Sequence, residues 1–203
     1  MKIIILILIS VLLGTASRAI AAQNIDYDQF FTKYSIIISL EAGANRFGTR
    51  LENPDGIQTW DLVARLSVVP FGIFRFPSAL HLMDGALAIG VEPVFQRFAS
   101  QNQNYGGAGL DLRYYLVGLR VGPIVPWMDL MGAAGGTDLQ VNKLNGPFMF
   151  LLQGGAGFSY LVSDRWSLSL GYQAEHLSNG GVEAGNDGLN SPTGAVCGVS
   201  YSF

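Results

Sequence analysis

Two residues near the end of the chain, His176 and Ser178, have the types and spacing of a base and a nucleophile. They stand in the run His176-Leu177-Ser178-Asn179-Gly180-Gly181, and Asn186-Asp187-Gly188-Leu189-Asn190-Ser191 follows. A serine hydroxyl attacks an ester once a base takes its proton, and histidine is the usual base near neutral pH. On an extended strand, residues i and i+2 point the same way with Cα atoms roughly 6.5 Å apart. An imidazole leaning along the strand spans that gap. Asn190 could orient the ring from a neighbouring strand, and Gly180 and Gly181 permit tight turns that aim backbone N–H groups at an oxyanion. Such a set suits acyl transfer from an ester. The structural alternative is that both polar side chains simply mark the end of a strand.

The strand that must carry the pair can be read by stepping back in twos. Ser178, His176, Ala174, Tyr172, Leu170, Leu168 and Trp166 share one face; Leu177, Glu175, Gln173, Gly171, Ser169 and Ser167 share the other. The base and the hydroxyl therefore lie on the apolar face. The same alternation predicts eight strands, over about 34–45, 57–68, 86–98, 105–117, 122–134, 147–162, 165–178 and 193–203. Charged residues fall on the opposite parity: Glu41, Asp61, Arg65, Glu92, Asp111, Arg113, Asp129 and Glu175. Many of the 26 glycines share that parity, which suits a narrow interior. Polar-in, apolar-out alternation on an even number of antiparallel strands is the pattern of an outer-membrane β-barrel. Trp60, Trp127, Trp166, Tyr105 and Tyr201 lie near strand ends and are read as interfacial aromatics.

Composition agrees. Charged residues make up 13% of the chain, against about 25% in an ordinary soluble domain. The mean hydropathy is +0.32, yet no segment after the first twenty-odd residues offers a membrane helix. Lys2, the apolar run 3–13 and the small-x-small site Ala19-Ile20-Ala21 predict a signal peptide over 1–22, leaving 23–203 as one barrel domain. With two His and one Cys, no metal set can be assembled and no cofactor is expected. A net charge of −3 gives no nucleic-acid footprint. In such a barrel odd strands end at the cell surface. His176 and Ser178 then face the outer leaflet, whose lipids carry acyl esters. The connection 70–85 falls on the periplasmic side, is longer than the short turns expected there, and is read as a small cap.

The pattern His176-x-Ser178-Asn179-x-Gly181, with Asn186-x-Gly188 and a final strand after it, resembles the lipid A 3-O-deacylase (PagL) family. Upstream segments resemble it too: Gly90-x-Glu92-Pro93-Val94-Phe95, Gly107-Ala108-Gly109-Leu110-x-Leu112-Arg113-Tyr114-Tyr115-Leu116, and Phe150-x-Leu152-Gln153-Gly154-Gly155-Ala156-Gly157. The resemblance implies an eight-stranded outer-membrane barrel that hydrolyses the 3-position acyl ester of lipid A (lipopolysaccharide) without a metal. It implies Ser178 as nucleophile and His176 as base, with Asn186 an oxyanion donor supported by Asn179. It also implies a Glu where this chain has Asn190. Asn can orient the imidazole but supplies no charge, so a slower esterase, another acid such as Glu183 or Asp187, or an inactive member are the alternatives. A non-enzymatic barrel with a structural, adhesive or lipid-binding role is the other class. The expected partner is lipid A in the outer leaflet, and such a barrel is compatible with a homodimer.

Overall fold

A computed structural model describes residues 25–47, 56–141, 144, 146–182 and 188–203. The expected signal peptide, together with Glu183, Asn186 and Asp187, lies outside the described residues. After a one-turn helix α1 (Tyr27–Phe30) come β1 (Ile36–Phe47), β2 (Ile57–Val68), the two-residue β3 (Ile73–Phe74), β4 (Gly85–Phe98), β5 (Gln103–Tyr115), β6 (Ile124–Thr137), β7 (Phe148–Leu161), β8 (Trp166–Ser178) and β9 (Leu189–Ser202). Every pairing is antiparallel, and β2 pairs both β1 and β4 while β1 also pairs β9. The sheet thus closes into an eight-stranded barrel, with β3 a short addition to the inner end of β4.

The alternation places the predicted faces. Ile36, Ile38, Leu40, Trp60, Leu62, Ile89, Val91, Leu110, Leu112, Met128 and Leu130 project from the wall, while Glu41, Asp61, Arg65, Glu92, Asp111 and Arg113 are buried inside. Two guanidiniums organise the interior. Arg113 forks onto both oxygens of Glu41 at 2.6 and 3.1 Å and reaches Asp129 at 2.6 Å. Arg65 bonds Glu41 at 3.2 Å and Glu92 at 2.6 Å and is ion-paired with Asp111 at 2.9 Å. One layer outward, Glu175 accepts from the amides of Asn45, Gln173 and Gln96 at 3.0, 3.1 and 2.9 Å. Asp61 accepts from Asn45 and Gln173. Shared cations and amide donors let carboxylates exist away from water, where an unpaired charge would be very costly.

The polar interior occupies only the middle of the barrel. Apolar clusters close both ends: Phe47, Ile57, Phe98, Met149, Leu177 and Leu189 at one, Phe30, Phe31, Ile37, Val69, Tyr115 and Leu161 at the other. Two of the expected interfacial aromatics belong to these clusters instead. Trp127 and Tyr105 are buried inside, on the inward parity of their strands, and Trp127 stacks under the Arg113 guanidinium at 4.1 Å. The cap at the inner end is α1, which inserts Phe30 and Phe31 and is fastened by the Ser202 hydroxyl donating to the Phe30 carbonyl. The connection 70–85, expected to be that cap, adds only Ile73 to this cluster, and its residues 74–83 are all exposed.

Candidate functional site

His176 and Ser178 end β8 on the outer wall, as the alternation predicts. Their ladder partners are Leu152 and Phe150 of β7 on one side, and on the other His176 faces Asn190 of β9. His176 Nδ1 lies 2.8 Å from Asn190 Oδ1. With the amide oxygen as acceptor, Nδ1 carries the ring proton and Nε2 keeps its lone pair, the tautomer a base for Ser178 requires. Among the described residues the Ser178 hydroxyl makes no hydrogen bond to the ring, an open arrangement common before substrate binds.

Asn190 reaches this position through an irregularity that alternation alone does not reveal. From its C-terminal end, β9 turns odd residues outward: Val199, Cys197, Ala195 and Thr193 are exposed. Continued to Asn190, that pattern would send its side chain inside. Instead Gln173 pairs with Gly194 and Glu175 with Ser191, so Pro192 and Thr193 together oppose Ala174. This is a bulge, and a one-residue shift turns every following side chain to the other face. Beyond it Ser191 is buried and Asn190 exposed, beside His176. The strand therefore starts at Leu189 and not near 193. Proline, which donates no ladder hydrogen bond, is tolerated at the bulge. The β1–β9 ladder stops at Asn45–Gly194, and the Ser191 hydroxyl then accepts from the Arg46 N–H at 3.1 Å.

Two tight backbone passages frame the pair. At the turn after β8, Val182 N–H donates to the Asn179 carbonyl, and Gly180 and Gly181 have φ of +66° and +80°, a geometry glycine adopts without strain. Asn179 is buried, and its side-chain oxygen accepts the Gly181 N–H at 2.9 Å. That N–H, expected to face an oxyanion, serves the turn. Gly180 packs on the Phe150 ring, which a Cβ would meet at 3.0 Å. Across the pair lies Gly188, with φ +73°, where a Cβ would stand 2.8 Å from His176 Cε1 and 3.0 Å from Ser178 Cβ.

His176 and Ser178 open onto a groove of about 480 Å³ on the outside of the barrel. Register explains it. Rows of outward residues run Leu110–Gly132–Leu152–His176 and Ala108–Ala134–Phe150–Ser178 across β5, β6, β7 and β8. Elsewhere these positions hold large apolar groups, whereas Ala108, Gly132 and Ala134 leave a trough that Leu110, Leu152 and Phe150 border. A Cβ on Gly132 would meet nothing within 4 Å, so that glycine is open space rather than close packing. Three inter-strand spacings make the trough roughly 14 Å long. The sequence signal was present: small residues facing outward at matching heights on two adjacent strands. The second histidine, His81, is exposed in the 70–85 connection with Nδ1 2.9 Å from the Ser78 carbonyl, and the one cysteine, Cys197, is exposed on the wall.

A closed barrel with an apolar wall, a charged interior and a polar pair at the end of one strand defines a bacterial outer-membrane β-barrel. Among solved structures the chain is similar to the crystal structure of the outer membrane enzyme PagL, with TM-score 0.60 and 16% identity over 79% of this chain and 97% of that one. It is also similar to the crystal structure of Neisserial surface protein A (NspA), with TM-score 0.57 and 13% identity over 83% of this chain and 97% of that one. No curated protein matches the sequence. Residues 51–196 match the model of the lipid A 3-O-deacylase (PagL) family, and the chain belongs to that family.

Proposed function

We propose that this chain is an outer-membrane serine esterase that removes the ester-linked 3-position acyl chain of lipid A. The observation that carries the reading is the 2.8 Å bond from His176 to Asn190 at the mouth of an apolar groove facing the outer leaflet. The acyl chain lies in the trough over Gly132 and Ala134, which brings its ester carbon to Ser178. Ser178 Oγ bonds to that carbon while His176 Nε2 takes the hydroxyl proton. With the Gly181 and Val182 N–H groups engaged in the turn, the Gly180 N–H and the Asn186 amide are the candidate donors for the oxyanion. Collapse of the tetrahedral intermediate breaks the carbon–oxygen bond to the sugar, and His176 returns the proton to the leaving oxygen. A water activated by His176 then attacks the acyl-enzyme, freeing the fatty acid and Ser178.

Asn190 orients the ring without a negative charge to stabilise the imidazolium, which marks this member as a slow catalyst. Loss of the carboxylate from a serine-protease triad costs about 10⁴ in rate, chiefly through the wrong tautomer. Here the tautomer is held and only the charge is missing, so a smaller deficit is expected. Mass spectrometry of lipid A from cells expressing the protein tests the reading. One 3-position acyl chain should be lost, and Ser178→Ala should restore it. Unchanged lipid A with folded protein in the membrane would overturn the esterase in favour of a barrel without activity.

A further inference from the structure

The connection between β2 and β4 has no role in the site, and it is built unlike a water-facing loop. Phe71, Phe74, Phe76, Leu80, Leu82 and Met83 are all exposed, at 37–58% of their surface. Among the described residues no second layer covers them. The segment begins with Phe71 against Phe74, ring centroids 5.3 Å apart, and continues into a 3-10 helix over Ser78–Met83. With three residues per turn, positions i and i+3 share an edge. Ser78 and His81 therefore form a polar edge, joined by the His81 Nδ1 contact to the Ser78 carbonyl. Leu80 with Met83 forms an apolar edge, and Ala79 with Leu82 another.

The start of the segment is tied to the lumen plug, with Ile73 against the cluster of Phe30 and Phe31 and Arg75 paired to Asp28 at 2.9 Å, whereas its helix is docked on the lipid side of the wall. Phe74 pairs with Gly85 at the start of β4. Tyr114, on the outward parity of β5 beside Met128, donates its hydroxyl to the Met83 carbonyl at 2.6 Å, and its ring covers Gly85. Gly118 fits so tightly under the helix that a Cβ would stand 2.1 Å from the His81 carbonyl oxygen. The lumen mouth itself is filled by Phe30 and Phe31. The exposed apolar side chains therefore continue the membrane-facing surface of β4 and β5, at the end where Trp166, Tyr201 and Phe203 stack with centroids 4.7 and 4.6 Å apart. Aromatic residues favour the level of the headgroups.

We infer that residues 71–83 form an apron that lies in the inner leaflet of the outer membrane, its apolar edges among phospholipid acyl chains and its Ser78–His81 edge toward the periplasm. A short amphipathic segment of this kind inserts just below the headgroups, and continuity with the barrel wall identifies the occupant as lipid. The apron would widen the footprint of the barrel on the side of β4 and β5.

The test is site-directed spin labelling of the full chain in phosphatidylethanolamine–phosphatidylglycerol vesicles. A Cys197→Ser background carries a single cysteine at Leu80, Met83, Ser78 or His81, and electrophoretic mobility of the unheated protein confirms a closed barrel for each. Labels at Leu80 and Met83 should collide with oxygen at least threefold more than with a water-soluble nickel chelate, and labels at Ser78 and His81 should show the reverse. Four labels equally open to the chelate would overturn the proposal, as would dipolar broadening at Leu80 that disappears on dilution with unlabelled protein, which would mean a second copy covers the face. The readout does not depend on esterase activity, so it stands or falls apart from the proposed reaction.

Discussion

Gly188→Ala is the substitution that most directly examines how the site is built. Two effects are separable. A residue with a Cβ at φ +73° costs about 1–2 kcal/mol over glycine. The new Cβ would also stand 2.8 Å from His176 Cε1 and 3.0 Å from Ser178 Cβ. Carbon atoms in contact prefer about 3.5–4.0 Å, so the imidazole must retreat by roughly 0.7–1.2 Å or the backbone must lift by as much. A misplacement of about 1 Å can cost roughly 10²-fold in rate, equivalent to about 2.7 kcal/mol of transition-state stabilisation. The groove floor is untouched, so KM should hold while kcat falls. Gly122→Ala is the control: φ is +53°, a Cβ there meets nothing within 4 Å, and the turn lies at the opposite end of the barrel. It carries similar backbone strain with no contact to the site. The assay is the rate of fatty-acid release from lipid A in mixed micelles, with urea unfolding of each variant alongside. Gly188→Ala within threefold of the parent would refute the placement of catalysis between His176 and Ser178. An equal fall in Gly122→Ala would assign the loss to general destabilisation.

Other substitutions probe separate parts. Asn190→Asp keeps the reach to Nδ1 and adds the missing charge, so kcat should rise tenfold or more; a fall would mean that the amide nitrogen of Asn190 is used as a donor. Ser191→Ala removes the hydroxyl that accepts the Arg46 N–H, which should cost about 1–3 kcal/mol in unfolding experiments and lower kcat with little change in KM as the bulge loosens. Glu41→Gln strips both guanidiniums of their shared carboxylate and should destabilise the barrel by about 3–5 kcal/mol, read from its urea midpoint. Gly132→Leu fills the trough; at about 0.8 kcal/mol per methylene displaced, two methylenes amount to roughly tenfold, seen as a higher KM and a shift toward shorter acyl chains.

Alternation made most of the barrel legible, because a wall with lipid outside and charges inside leaves each residue only one acceptable face. It placed Glu41, Arg65, Arg113 and Glu175 inside and His176 and Ser178 outside. It did less well where the environment changes along the strand axis. The interior is polar only in its middle layer, so Trp127 and Tyr105 could be inward and still aromatic. The apron at 71–83 escaped because a 3-10 helix has neither the strand period nor the length to show its amphipathicity. Asn190 was suspected on proximity, but its facing could not be read. Nothing in the period of β9 announces a bulge, and the only local sign is Pro192 within an otherwise regular strand.

That bulge bears on how the proposed catalytic set can be held on the outside of a barrel. A lipid-facing surface offers no pocket walls to hold three side chains in register, so their positions must come from the backbone ladder. His176 and Ser178 inherit theirs from β8, paired to β7 through Leu152 and Phe150. Asn190 would be unusable on a regular β9, since its side chain would point into the layer that Glu175 and Asn45 already fill. Inserting one residue at Pro192–Thr193 turns Asn190 outward while leaving Glu175 and Gln173 inside. The buried network then has a second consequence: Glu175, bonded to Asn45, Gln173 and Gln96, fixes β8 directly behind His176. Rigidity generated in the lumen is thereby delivered to the opposite face of the same strand, so substitutions at Asn45 or Gln96, which never meet lipid, should register in kcat as well as in stability.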